Sequence, residues 1–283
     1  MTIAVFGATG QLGRLTLAAL RDRGVPADGI RALGRNQAVL DQLSEEGFDT
    51  FRIELDEPDN LRRPLAGVES VLLISASDIG RRVPQHRAAI QAALDAGVRR
   101  LVYTSAPGAS TVPGISTEHR ATEAFLADVG LPATVLRNNW YTENYRADFE
   151  QARTDGVILN SAGSGGIPSA TRADYAEAAA AVLTTAGHEG AVYELAGDTA
   201  WTWDGFAAAA AEVLGSPVTY RPVSPDEQRR MLLDAGVPAQ MAEAVLAMDA
   251  NARDGLLEHT TGDLSRLLGR PATPLRDTLK SWA

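Results

Sequence analysis

A chain of 283 residues with 45% hydrophobic and 22% charged residues has the composition of a folded globular protein, which sets aside disordered and fibrous classes. Its 26 Lys and Arg against 36 Asp and Glu leave a net charge of −10, and with no basic run this argues against nucleic acid or an anionic membrane surface as partner. The absence of Cys removes disulfides, thiolate nucleophiles, iron–sulfur clusters and Cys-based zinc sites, and makes a reducing cytoplasm the expected compartment.

The opening MTIAVFGATG has no basic segment and breaks at Gly7, so it does not read as a signal peptide. No stretch approaches about eighteen consecutive apolar residues, so no membrane span is expected. Short aliphatic and β-branched runs at residues 2–6, 30–33, 51–55, 70–75, 100–104, 133–136 and 191–195 predict strands, with helix-period segments between them. Leu12, Leu15, Thr16, Ala19 and Leu20 keep the spacing of one helical face directly after the first strand. The nearly unbroken apolar runs, such as VLLIS, fit a parallel sheet covered on both faces. A helix over residues 174–186 precedes the last strand. Beyond Gly197 helical signals dominate, at residues 203–214, 225–235, 238–249 and 264–268; Ser224, Pro225 and Glu227 form a capping sequence for the second. The expected fold is therefore α/β, a doubly wound, Rossmann-like parallel sheet with a smaller, mainly helical C-terminal lobe. Residues 1–137 and 173–198 are expected to form the sheet domain, and 138–172 and 199–283 the substrate-binding lobe.

Gly7, Gly10 and Gly13 punctuate the junction between the first strand and the first helix, in Gly7-Ala8-Thr9-Gly10-Gln11-Leu12-Gly13. Glycines at such a turn let backbone N–H groups approach a pyrophosphate, whose charge the helix N-terminus favours. The spacing is Gly-x-x-Gly-x-x-Gly, different from the commonest dinucleotide fingerprint. After the second strand the chain reads Ile30-Arg31-Ala32-Leu33-Gly34-Arg35-Asn36. No carboxylate stands there to take a ribose 2′-hydroxyl, and Arg35 offers a planar fork to a 2′-phosphate, so NADPH (NADP) is the expected cofactor.

With these residues in view, the chain resembles the NmrA-like atypical short-chain dehydrogenases/reductases, and among them it most resembles the bacterial type-2 NAD(P)H:quinone oxidoreductases. The likeness runs nearly end to end, through GATGQLG, LLISAS, PQHR, YTSA, EHRATE, LRNNWYTENY, SATRADYAEAAA and GHEGAVYELAGD. Triphenylmethane-dye reductases are similar over much of the same length. The resemblance implies dinucleotide contacts from Gly7, Ala8, Thr9, Gly10, Gln11 and Leu12, from Arg35, and from Ser75, Ala76 and Ser77. It implies that Asn138, Asn139, Trp140, Tyr141 and Asn144 line a nicotinamide and substrate cleft over which Arg172 closes. Relatives commonly carry Asp near the adenine after the third strand; here the chain reads Glu54-Leu55-Asp56, and no adenine contact is assigned.

Short-chain reductases of alcohols and ketones use a Ser, Tyr and Lys set. Ser105 matches the serine, whereas the Lys position falls near His119 and the Tyr position near Ile115. Reduction of a simple ketone develops an alkoxide whose conjugate acid resembles water, near pKa 15.7. A quinone yields a phenolate-like anion with a conjugate acid near about 10, a difference worth about 8 kcal/mol that no positioned acid has to supply. Loss of the Tyr and Lys therefore argues against an alcohol dehydrogenase and is compatible with quinone reduction. Ser105 stands either against a substrate oxygen or as a strand-end hydroxyl. His119 reads either as a proton donor near neutral pH or as a helix-surface histidine between Glu118 and Arg120, and Tyr141 as a ring against a flat acceptor. His86 and His188 show no metal-ligand spacing, so no metal is expected. The function expected is hydride transfer from NADPH to a quinone-like small molecule, with a triphenylmethane-dye-type reductase or a non-catalytic NADP(H) redox sensor acting through a protein partner as the alternatives. Oligomeric state is left open.

Overall fold

The computed structural model describes residues 1–108 and 116–283. In chain order its elements are β1 (Ile3–Phe6), α1 (Gln11–Asp22), β2 (Ile30–Gly34), α2 (Gln37–Glu45), β3 (Asp49–Arg52), α3 (Arg62–Leu65), β4 (Ser70–Leu73), α4 (Arg82–Asp95), β5 (Arg100–Ser105), α5 (Ser116–Asp128), β6 (Thr134–Asn138), α6 (Arg146–Asp155), β7 (Val157–Asn160), α7 (Arg172–Thr184), β8 (Val192–Leu195), α8 (Trp203–Leu214), β9 (Thr219–Pro222), α9 (Pro225–Asp234), α10 (Ala239–Arg253), α11 (Asp263–Leu268) and α12 (Leu275–Lys280). They form two compact units. The first comprises Met1–Asn138, Arg172–Leu195 and Arg266–Gly269, the second Asn139–Thr171, Ala196–Ser265 and Arg270–Ala283. Asn138 and Arg172, expected in the lobe, thus belong to the first unit, and residues 196–198 to the second. Residues 266–269 return to the first.

Among the described residues, seven strands of the first unit make one parallel sheet in the order β3-β2-β1-β4-β5-β6-β8. The doubly wound α/β fold is as the alternating pattern predicts. On one face Phe6, Leu73, Tyr103 and Val135 form a row across β1, β4, β5 and β6. Ala89, Ile90 and Ala93 of α4 and Leu126 of α5 complete that core. On the other side α1 packs against α7. Ala176, Ala178, Ala179, Ala180 and Ala181 of α7 are all buried, so the alanine run is a close-packing surface. Arg100 closes that helix by donating to Val182 O at 2.6 Å and Thr185 O at 2.7 Å, carbonyls a helix C-terminus leaves without partners.

Two expectations shift. The third strand is Asp49–Arg52, because Asp49 to Arg52 register with Arg31 to Gly34; Ile53, Glu54 and Leu55 fall beyond it. Leu15 is exposed, and Leu17 takes its place in the buried face of α1.

The second unit contains helices α6, α8, α9, α10 and α12, and also a two-stranded parallel sheet of β7 and β9 that the mainly helical expectation omits. α10 extends to Arg253, past the expected end, and α12 is an addition. Its core is aromatic: Tyr145 meets Trp201 and Trp203 edge-on, with ring centroids 5.0 and 5.4 Å away, and Phe206 and Trp282 are buried with them.

Candidate functional site

The strand order of the first unit reverses between β1 and β4, and in open α/β sheets the crevice at that point is the binding position. There a cavity of about 250 Å³ is lined by the ends of β1 to β4 and their following loops, including Gly7, Thr9, Gly10, Arg35, Ser75, Ala76 and Ser77. Ala8, Gln11 and Leu12 belong to the same turn and helix start.

The glycine turn is a cradle that side chains would fill. Gly7 has φ +79°, the left-handed region that glycine supplies without strain, and a Cβ there would also lie 3.3 Å from Ile74 Cβ. A Cβ on Gly13 would lie 2.2 Å from Gly7 O, so only glycine lets α1 sit this close to the turn. Ala8 N donates to Leu33 O at 3.0 Å and Gly10 N to Gly7 O at 2.9 Å, which fixes the loop. Gly10 caps α1 with no side-chain hydrogen bond, leaving the first-turn N–H groups oriented for an anion. These features fit a dinucleotide pyrophosphate.

Arg35 lines the cavity, as its position after β2 implies, and its Nη1 donates to Asp78 Oδ2 at 3.0 Å. Gln85 Nε2 donates to the same oxygen at 3.2 Å and to Asp56 Oδ2 at 3.2 Å. The Gln85 hydrogen bond first, and Arg35 with it, hold the Asp78 carboxyl below its ordinary range. Sequence reasoning missed Asp78 and Gln85. The guanidinium that would read a 2′-phosphate already faces a carboxylate.

The loop after β4 is gripped from beneath. Ser75 N donates to Thr104 Oγ1 at 3.0 Å, Ala76 N to His86 Nε2 at 2.9 Å, and Arg82 Nε to Ala76 O at 2.6 Å. Thr122 Oγ1 donates to Glu118 O and so accepts from His86 Nδ1 at 2.9 Å, which assigns the His86 tautomer with Nε2 as acceptor. Burial, reinforced by Arg82 and His119, lowers His86 to about 3, keeping the neutral form this arrangement needs. The sequence reading weighed His86 only as a metal ligand; its place in PQHR, ten residues after Ala76, was the available signal.

His119 is 4% exposed, which overturns its reading as a helix-surface residue. Its Nδ1 faces Tyr103 Oη at 2.8 Å and its Nε2 faces Arg82 Nη1 at 3.3 Å. A guanidinium only donates, so Nε2 accepts and Nδ1 carries the proton. Burial and then Arg82 lower the imidazole to about 3. That shift favours the neutral ring. Ile115 falls outside the described residues. Ser105, at the end of β5, donates to Glu123 Oε1 at 2.5 Å. Arg137 binds Glu123 through two donors, at 3.1 and 2.6 Å, and Glu194 Oε1 at 2.7 Å. The serine hydroxyl is thus tied into a half-buried ionic network.

Asn138 ends β6 and Arg172 begins α7, both in the first unit. Asn139, Trp140, Tyr141 and Asn144 belong to the second, where Asn139 Nδ2 donates to Leu257 O at 3.1 Å and Tyr141 bridges to Ala170. Asn138 Oδ1 and Trp140 Nε1 are buried without a protein partner among the described residues. In the described residues no group of three or more His, Asp or Glu is placed to hold a metal ion, and no helix is long and apolar enough to cross a membrane.

A doubly wound sheet with a glycine cradle at its switch point defines a dinucleotide-binding protein. The chain belongs to the NAD(P)H-binding family, whose model matches residues 7–186. It is 44% identical over 278 residues, 98% of this chain and 97% of the other, to quinone oxidoreductase 2 of Escherichia coli strain K12. An Escherichia coli NADPH-dependent quinone oxidoreductase, solved as a complex with NADPH, superimposes with a TM-score of 0.95 at 44% identity, covering 99% of each chain. The Citrobacter sp. triphenylmethane reductase complexed with NADP(H) does so with a TM-score of 0.95 at 36% identity, covering 100% of each.

Proposed function

We propose that this protein is an NADPH-dependent oxidoreductase that reduces quinones. The observation that carries the reading is the 44% identity to quinone oxidoreductase 2 across 98% of the chain, and the glycine cradle and Arg35 are the geometry that supports it. Gly7 to Leu12 would hold the pyrophosphate, Arg35 the 2′-phosphate, and Ser75 to Ser77 the adjoining part of the dinucleotide. The bound cofactor supplies a hydride. Asn138, Asn139, Trp140, Tyr141, Asn144 and Arg172 are the proposed nicotinamide and acceptor contacts, with Tyr141 offering its ring to a flat acceptor.

His119 and Ser105 act in this reading by position. The neutral His119 holds Tyr103 and Arg82, and through Arg82 the Ala76 carbonyl. Ser105 donates its hydroxyl hydrogen bond to Glu123. Neither is arranged as an acid at neutral pH, and a quinone tolerates this, because the monoanion that hydride addition leaves has phenol-like basicity and takes its one remaining proton from water. The absence of cysteine fits a reducing cytoplasm as the compartment.

The test is anaerobic NADPH oxidation against a panel of quinones and triphenylmethane dyes. Quinone-dependent oxidation with hydroquinone formed in equal amount is the expected result. Reduction of dyes alone would favour the second reading, which the 36% identity to the Citrobacter enzyme supports. NADPH binding without reduction of any acceptor would indicate a redox sensor.

A further inference from the structure

The second unit carries a cavity of its own, about 460 Å³, between α6, α9 and α10 and the end of β7. Its apolar wall is Met231, Leu232, Val245 and Met248, and two carboxyl groups face it, Asp148 from α6 and Asp249 from α10. Asp249 is 7% exposed and accepts from Gln228 Nε2 at 2.6 Å. No arginine or lysine lines the space. Two further groups in the wall lack partners: Asn160, 2% exposed, has no acceptor for Nδ2, and Trp203, 1% exposed, has none for Nε1.

Buried donors left without acceptors are costly unless something answers them. The complement is a molecule with one positive charge, a hydrogen-bond acceptor a few atoms away and an apolar body. We propose that this cavity is a binding site for a small organic cation of that kind, an alkylammonium bearing an aryl group and a carbonyl or ether oxygen, with its charge on Asp148 and Asp249 and its acceptor toward Asn160 and Trp203. The Trp203 ring adds a surface that attracts cations.

The electrostatics support this placement. Burial first, and then Asp249, raise Asp148 to about 7, and burial raises Asp249 to about 6 against the lowering effect of Gln228, Ser161 N and Arg253. Burial first, and the Asp249 charge with it, push Tyr145 and Tyr220 toward the neutral phenol. Carboxyl groups raised in this way take up a proton more readily than free ones, and an arriving cation would oppose that uptake. The site shares no residue with the cavity at the glycine turn, and of the proposed acceptor contacts it includes Asn144.

The probe is phenacyltrimethylammonium, titrated calorimetrically into NADPH-free protein at pH 7 beside its uncharged isostere neopentyl phenyl ketone. The cation should bind at least tenfold more tightly than the ketone, and its binding should release protons, read from the heats in two buffers of different ionisation enthalpy. Asp148→Asn should weaken the cation about tenfold and leave the ketone unchanged, while Asp148→Glu should restore the cation. Leu232→Trp, which fills the apolar side, should abolish binding of both. Equal binding of cation and ketone, binding of neither, or an unchanged cation affinity in a folded Asp148→Asn protein would overturn the proposal. Because no turnover is read, a protein that reduces no quinone still answers the question.

Discussion

Replacing Arg35 by Ala should collapse the preference for NADPH over NADH. The size of that preference follows from what Arg35 does before a cofactor arrives. Its Nη1 is 3.0 Å from Asp78 Oδ2, and its side chain is 56% exposed. A 2′-phosphate therefore meets a guanidinium that is already paired. A hydrogen bond to a charged group contributes about 1.5–3 kcal/mol, and the exposed ion pair given up for it costs about 0–1 kcal/mol. The net of about 0.5–3 kcal/mol corresponds to roughly a two- to 160-fold preference. Asp78→Asn tests the same arithmetic from the other side. It removes the competing carboxylate and should tighten NADPH by about two- to fivefold while leaving NADH nearly unchanged. Dissociation constants for both dinucleotides, measured by calorimetry at fixed ionic strength, decide the matter. Equal affinities in the unaltered protein, or weaker NADPH binding in Asp78→Asn, would refute the reasoning.

Other outcomes follow from the groups beneath the cavity. His86→Ala leaves Ala76 N without its acceptor, so it should destabilise the protein by about 1–3 kcal/mol and weaken NADPH; His86→Gln, which keeps an acceptor, should recover part of both, as urea titration and calorimetry would show. His119→Ala should cost about 2–4 kcal/mol of stability yet lower quinone turnover only severalfold. A hundredfold loss of kcat with an intact circular dichroism spectrum would make the imidazole a proton donor after all. His86 and His119 are both lowered from 6.5 to about 3, so their stabilising contribution is present above about pH 6.5 and lost as the pH falls toward 3. With each group worth up to about 1.4 kcal/mol per pH unit, hydrogen-exchange protection of β1, β4 and β5 should fall between pH 7 and pH 5. Protection that rises over that interval would contradict the assignment of neutral imidazoles.

The sheet was legible because its inner strands β2, β1, β4, β5 and β6 are largely buried and mostly read as apolar runs. The glycine cradle was legible because its constraint is local: Gly7, Gly10 and Gly13 act within one turn. Groups joined through space were not. Arg35 and Asp78 are brought together by parallel strands on either side of β1, and nothing near either residue names the other. His119 was misread because Glu118 and Arg120 beside it suggest solvent, whereas the helix turns His119 toward Tyr103 on β5. Glu118 itself is only partly exposed, since it binds Gly80 N and Arg82. β7 and β9 went unseen because neither is a continuous buried run: burial alternates along β7, and no residue of β9 is fully buried.

The aromatic core of the second unit has an optical consequence. All four tryptophans, Trp140, Trp201, Trp203 and Trp282, lie in that unit, and Trp201 and Trp203 cross at 87° with their centroids 5.4 Å apart. Indoles that close and that rigidly angled couple their excited states, so the near-ultraviolet dichroism of the protein should carry a strong signature of this packing. Excitation at the red edge of the spectrum will illuminate only the second unit, while the first, with Tyr103 and the dinucleotide cavity, stays dark. In NADPH-free protein, emission and dichroism together therefore offer a private view of the second unit, in which a cation entering beside Trp203 would register.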